Sequence, residues 1–267
     1  MDEATEAVDG EARHKNHSVY FVPGLHRGLR VLEIVAAARR PLSITEIAAE
    51  LELTRSSVFR LIYTLRHMGF LEEEQSKLFT LGPRVLNIGF AFLASKDVIE
   101  IARPELEALR DETQVSAHLA IRDERDVLYL SCVQTRSGFL SNMNVGSRVP
   151  AYASPMGWLL LSGMTPAELA ALFRNERFTP LTDQTPTSAK ALIEAVEAAG
   201  RRGYVISRGI MEAAGSSISA PIVNRRKEVV AAIDISGPDS AFDLGEIDGR
   251  YLNAVQATAR RISDRIG

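Results

Sequence analysis

Along this chain the hydrophobic spacing changes period, and the changes set out its elements. Between residues 24 and 38, apolar side chains recur at Leu25, Leu29, Leu32 and Val35 or Ala36, the spacing of one helical face. Pro41 ends that helix, because its ring clashes with the preceding turn. Ser43 followed by Glu46 reads as a capping box. It opens a short helix with Ile44, Ile47, Ala48 and Leu51 inward. Thr54 supplies a side-chain oxygen to cap a third helix, in which Val58, Leu61, Ile62, Leu65 and Met68 form one stripe. Gly69 is placed to end it. Two β-prone pieces around Glu74-Gln75-Ser76-Lys77 predict a hairpin. Pro83 then starts a connecting helix that exposes Phe90, Phe92 and Leu93 to a neighbour.

Beyond about Lys96 helices and strands mix. Asp97 with Glu100 predicts a capped helix running to about Thr113, and SAHLAIR and DVLYLSCVQ alternate like adjacent strands. Thr165, Pro166 and Glu168 mark another helix start, and Gly203 closes a helix begun near Thr187. SSISAPIV and EVVAAIDISG read as two further strands, and the segment from Asp243 to Ile266 as helix. The expectation is an α+β chain. A polar, disordered tail covers 1–22, a winged helix-turn-helix 23–82, a linker helix 83–96, and a domain with an antiparallel sheet 97–267.

A hydrophobic share of 46% supports a sizeable core, while a formal net charge of −3 means that any nucleic-acid contact must come from a local patch. Such a patch lies in the third helix. Thr54, Arg55, Ser56 and Ser57 stand at its start, and Arg60 lies one turn beyond Ser56 on the same face, with no acid among them. Arginine can donate two hydrogen bonds to guanine in the major groove, and short hydroxyl residues contact phosphates or bases. Arg27, Arg30, Arg66 and Lys77 are the reserve for phosphates. A solvated basic face is the plain alternative for an isolated helix. The capped helix before this one and the hairpin after it favour a DNA reader.

Catalytic signatures are few. The chain holds no G-x-S-x-G, phosphate-loop, G-x-G-x-x-G or H-E-x-x-H motif, so no enzyme and no cofactor is expected. Cys132 is the single cysteine, which fits a reducing cytosol. Cys132 and His118 fall on neighbouring predicted strands, but a lone cysteine in an apolar strand behaves as a small hydrophobe. The histidines are scattered and predict no metal site. No apolar run approaches a membrane span, and the N-terminus lacks the apolar core of a secretory signal, so a cytoplasmic protein is expected. The competing function class is a sensor that acts through protein contacts alone.

From about Pro23 to Gly267 the chain resembles the IclR family of bacterial transcription regulators. The matching pieces are GLRVLEIVA, LSITEIAAELELTRSSVFRLIYTLRHMGFL, FTLGPRVLNIG, GSRVPAYASPMGWLLLS, LIEAVEAAGRRGYVIS and SISAPI with VVAAIDISGP, in that order. The resemblance implies a GAF-like effector-binding domain after the helix-turn-helix. It also implies a homodimer or homotetramer on a palindromic double-stranded operator, with a lean toward control of aromatic-compound breakdown. Carried over by position, the candidate effector residues are Tyr152, Ser154, Pro155, Met156, Trp158, Ser207, Ser217, Asp234 and Ser236. Several depart from the family pattern, which often has an acid at Ser207, Cys at Ser217, Lys at Trp158, Ser at Asp234, a small pair at Pro155-Met156 and paired Glu at Gly209-Ile210. An ionised Asp234 facing the pocket would accept hydrogen bonds and repel a bare carboxylate, which suggests an amide, hydrazide or phenol on an apolar body.

Overall fold

The computed structural model describes residues 20–74, 77–136 and 143–266. They fall into two compact units, one ending at Phe92 and the other starting at Leu93. Most of the expected tail, and Gln75 and Ser76 of the expected hairpin turn, lie outside the described residues.

The first unit runs α1 (Pro23–Ala38), β1 (Leu42–Ser43), α2 (Ile44–Glu50), α3 (Arg55–His67), β2 (Leu71–Glu74) and β3 (Leu78–Leu81), and ends within α4 (Arg84–Ala94). The capping box forms at α2. The Ser43 hydroxyl accepts from the Glu46 N–H, and the Glu46 carboxylate accepts from the Ser43 N–H at 2.8 Å. Thr54 caps α3, accepting from the Ser57 N–H. Gly69 stops α3 at φ +75°, a conformation that other residues adopt at a cost, and the Phe70 N–H turns back to the Leu65 carbonyl. β3 is the middle strand of a small antiparallel sheet, order β1-β3-β2. β1 has two residues, too few to show an alternation in sequence. Val31, Val35, Ile47, Val58, Ile62 and Phe79 form the core. Each such side chain contributes about 1.5–3 kcal/mol by leaving water. Their burial fixes which face of α3 points outward.

α4 begins one residue after Pro83 and leaves Leu86, Ile88, Phe90 and Phe92 exposed. Leu93 differs from its expected exposure. It lies about 100° round the helix from Phe92 and packs against the core of the second unit.

The second unit is built on a six-stranded antiparallel sheet, order β6-β5-β4-β9-β8-β7. Its strands are β4 (Ala117–Asp123), β5 (Asp126–Val133), β6 (Arg148–Pro150), β7 (Val205–Arg208), β8 (Gly215–Val223) and β9 (Val229–Pro238). α5 (Asp97–Thr113) and α9 (Leu252–Arg265) cover one face; α6 (Pro155–Leu161) and α8 (Ala189–Arg202) cover the other, with α7 (Pro166–Leu172) packed on α8. Strand alternation divides the two cores: Ile233 and Ile235 join the α5/α9 side, Ala232 the α6 side.

Two further expectations need correction. The residue at the cap position of α5 is Lys96, whose side chain does not bond the helix start; Asp97 and Glu100 sit inside the first turn, where their charge suits the helix dipole. The final segment is not one helix. It opens with a tight turn at Leu244–Glu246 and a wide one at Ile247–Tyr251 before α9, and Gly245 and Gly249 weaken helix propensity there. α6 escapes a periodicity search because all seven of its residues are buried. Its Gly157 lies so close to the preceding turn that an added Cβ would stand 2.2 Å from the Ala151 carbonyl oxygen.

Candidate functional site

Because Val58 and Ile62 are buried, the opposite face of α3, centred on Ser56, Arg60, Tyr63 and His67, meets solvent. Thr54, Arg55, Ser56, Ser57 and Arg60 are all exposed. The Thr54 hydroxyl lies 3.1 Å from that of Ser56 and 2.9 Å from that of Ser57, a small polar cluster at the helix start. Among the described residues no acid pairs with Arg27, Arg55, Arg60 or Lys77, all exposed. Arg66 is committed to Glu73 of β2, and Arg30 to Glu33 at 2.7 Å. Phe59 and Tyr63 are 55% and 61% exposed with ring centroids 6.4 Å apart. Neither was singled out from the sequence, although both lie off the buried stripe and four residues apart.

The second unit holds a cavity of about 70 Å³ against the sheet. Its floor is a row of serines in register across three strands, Ser207, Ser217 and Ser236, with the first two hydroxyls 2.9 Å apart. Tyr129 of β5 also lines it, Met143, Ile210 and Met211 add apolar surface, and Glu212 adds an acidic residue to the lining. The loop carrying Ile210 to Glu212 is tied down from both sides. The Gly209 N–H donates to the Gly215 carbonyl at 2.8 Å, and the Thr185 hydroxyl donates to the Ile210 carbonyl at 2.8 Å.

A second polar row runs beside the serines. Cys132, His118, Asp234 and Ser219 occupy matched positions on β5, β4, β9 and β8. His118 is fully buried and Asp234 is 4% exposed. His118 Nδ1 lies 2.8 Å from the Asp234 carboxylate, the geometry of an N–H donated to it, and 3.3 Å from the Ser236 hydroxyl. Ser236 thus joins the buried row to the cavity floor. His118 Nε2 and the Ser219 hydroxyl have no hydrogen-bond partner among the described residues. The Tyr129 ring meets the imidazole edge-on, with centroids 5.7 Å apart.

This arrangement governs the neighbouring chemistry. Burial, then the Asp234 charge, push the Tyr129 phenol well above its ordinary range, so it stays protonated and can donate. The same two causes push the Cys132 thiol up to about 12, which removes it as a nucleophile at neutral pH. Ser236, His118 and Asp234 have the composition of a hydrolytic triad but not its geometry. Both oxygens address Nδ1, whereas a nucleophilic serine passes its proton to the nitrogen that the carboxylate leaves free.

Of the effector candidates, Ser207, Ser217 and Ser236 line the cavity and Asp234 lies beside it. The others are buried in the α6 core. Ser154 caps α6 by accepting from the Gly157 N–H, and Pro155 and Met156 occupy its first turn. The Trp158 indole N–H donates to the Tyr152 carbonyl at 2.9 Å, and the Tyr152 hydroxyl donates to the Thr179 carbonyl at 3.1 Å. Tyr129, Ser216, Met211 and Glu212 also line the cavity and were not singled out from the sequence, and Ile210 was noted only as a departure from the family pattern. Their only signal was polar residues alternating within apolar strands. Among the described residues no cluster of three or more His, Cys, Asp or Glu is arranged for a metal, and no helix is long and apolar enough to cross a membrane.

Residues 24–75 match the IclR helix-turn-helix domain, and residues 90–264 match the bacterial transcriptional regulator IclR C-terminal domain. The transcriptional regulator BhcR of Paracoccus denitrificans is 32% identical, over 91% of this chain and 86% of its own length. A Rhodococcus sp. RHA1 protein assigned as a transcriptional regulator superposes with a TM-score of 0.80 at 30% identity, covering 92% of this chain and 98% of that one. An IclR homologue from Microbacterium hydrocarbonoxydans, solved with 4-hydroxybenzoate, has a TM-score of 0.77 at 23% identity, covering 90% and 98%. A helix-turn-helix unit and a cavity-bearing sheet unit, matched in that order over most of the chain, make this protein a member of the IclR family of bacterial transcriptional regulators.

Proposed function

We propose that the chain is a cytoplasmic regulator that reads an operator through α3 and answers to a small organic effector held in the serine-floored cavity. The observation that carries the reading is the outward face of α3, where Ser56, Arg60 and Tyr63 stand exposed and, among the described residues, no acid pairs with Arg55 or Arg60. That face suits major-groove contact through the N-terminal half of a recognition helix. We assign base contacts to Arg55, Ser56 and Arg60, and contacts to the sugar–phosphate backbone to Thr54, Ser57, Arg27 and Lys77. Arg66 is paired with Glu73, whose charge offsets its attraction for phosphate.

The functional species in this reading is a homodimer, or a pair of dimers, on a palindromic operator with half-sites about one helical turn apart. The apolar side chains that α1 and α4 leave exposed, among them Leu25, Leu29, Phe90 and Phe92, supply surface for such pairing. The regulated genes encode breakdown of aromatic or related small compounds. The 4-hydroxybenzoate bound by the Microbacterium homologue supports that class. An effector acts by binding one arrangement of the DNA-reading units more tightly than another.

The test is fluorescence anisotropy on DNA from upstream of the protein's own gene, with a scrambled duplex as control and a series of salt concentrations. Tight, sequence-dependent binding that weakens with salt supports the reading. Equal weak binding to both duplexes, unchanged by candidate ligands, would instead favour a sensor acting through protein contacts.

A further inference from the structure

We propose that the serine-floored cavity selects an uncharged effector, an apolar or aromatic body carrying amide or hydroxyl groups, over the corresponding carboxylate. This rests on reading the cavity as the effector site.

An ionised carboxylate entering a small cavity sheds water and needs a cation or several N–H donors in exchange. No lysine, arginine or histidine lines the cavity among the described residues, and residues 137–142, which lead to Met143, contain none in their sequence. Arg208 follows Ser207 along β7, but its Nε lies 2.6 Å from Asp239, which also accepts from Ser216 at 2.7 Å. His118 is spent on Asp234. Two acidic residues therefore bear on the site, Glu212 in its lining and Asp234 joined to Ser236 through His118, and among the described residues no free cation lines the cavity beside them.

The groups that remain match a neutral ligand. Serine hydroxyls can donate or accept, the Tyr129 phenol can donate, and the Glu212 carboxylate accepts. A primary amide or a phenol offers both donor and acceptor to such a ring. Met143, Met211 and Ile210 give an adaptable apolar wall for the body of the molecule.

Matched pairs test this with the full-length protein: benzamide against benzoate, and 4-hydroxybenzamide against 4-hydroxybenzoate, titrated by calorimetry at neutral pH. At least one amide should bind about ten times more tightly than its acid, corresponding to about 1.4 kcal/mol. Ser207→Lys, on the half-buried edge strand, should narrow or invert that ratio by adding a cation, and Ser217→Ala should weaken the amide while circular dichroism stays unchanged. Acids that bind the wild type as tightly as their amides would overturn the charge selection and leave the cavity reading standing. Failure of all four probes to bind, or binding indifferent to both variants, would overturn the cavity reading and this inference with it.

Discussion

At the scale of single residues, two side chains show how position decides consequence. Arg60 stands exposed on the outward face of α3, and among the described residues nothing pairs with its guanidinium. Arg60→Ala should therefore leave circular dichroism and the melting temperature unchanged while costing about 1–3 kcal/mol of operator binding, read by anisotropy. A variant that still binds the operator like the wild type would exclude Arg60 from base contact. Asp234 is the opposite case. Asp234→Ala would leave the His118 Nδ1–H only the longer contact to the Ser236 hydroxyl, beside an Nε2 that has no partner among the described residues. The loss should be about 1–3 kcal/mol, visible as a lower urea midpoint, with Asp234→Asn milder because its amide oxygen can still accept. An unchanged midpoint for Asp234→Ala would mean that the pair adds nothing to stability.

At the scale of elements, capping explains the start of α2, and it carries a pH signature. The backbone N–H of Ser43, then its hydroxyl, then Arg40 hold the Glu46 carboxyl down to about 2. A folded-state value below the unfolded one stabilises above the unfolded value and is lost as pH falls through the folded value. Glu46 should thus support the first unit fully above about pH 4.5 and lose that support toward about pH 2. Urea midpoints of wild type and Glu46→Gln should converge over that window, and a difference that stays constant with pH would refute the account.

The caps of α2, α3 and α7, the stripe of α3, the hairpin strands and the central strands β4, β5, β8 and β9 were legible because each leaves a local trace: a hydroxyl before an acid, a period of 3.6 or of two. α6 and the cavity were less so. α6 is apolar on every side and shows no period. The serine row draws on strands whose partners lie up to 29 positions apart in sequence, from Ser207 to Ser236, and only the sheet order brings them together. The pairing of His118 with Asp234 spans 116 positions. A reading by local pattern could place each residue on a face but not assign its partner.

For the whole molecule, net charge and DNA binding pull in different directions. A formal charge of −3, with Glu72, Glu73 and Glu74 in succession along β2, makes nonspecific attraction weak. Binding should then depend on a few defined cations. Lys77→Ala should weaken operator and scrambled duplex alike and flatten the salt dependence, each lost phosphate contact changing the log–log slope by about 0.9. Arg60→Ala should act mainly on the operator. If both variants reduced the two duplexes equally, sequence would not be read through α3.

The half-buried Cys132 has a practical corollary. With its thiol pushed up to about 12, only about one molecule in 10⁵ would present a thiolate at pH 7. A second cysteine introduced at an exposed position, such as Thr64 on α3, would outcompete it for maleimide or nitroxide reagents without first removing the native residue. Spectroscopic rulers could then be attached to α3 of an otherwise unaltered protein and, in the proposed dimer, the separation of the two copies of that helix followed as ligand is added.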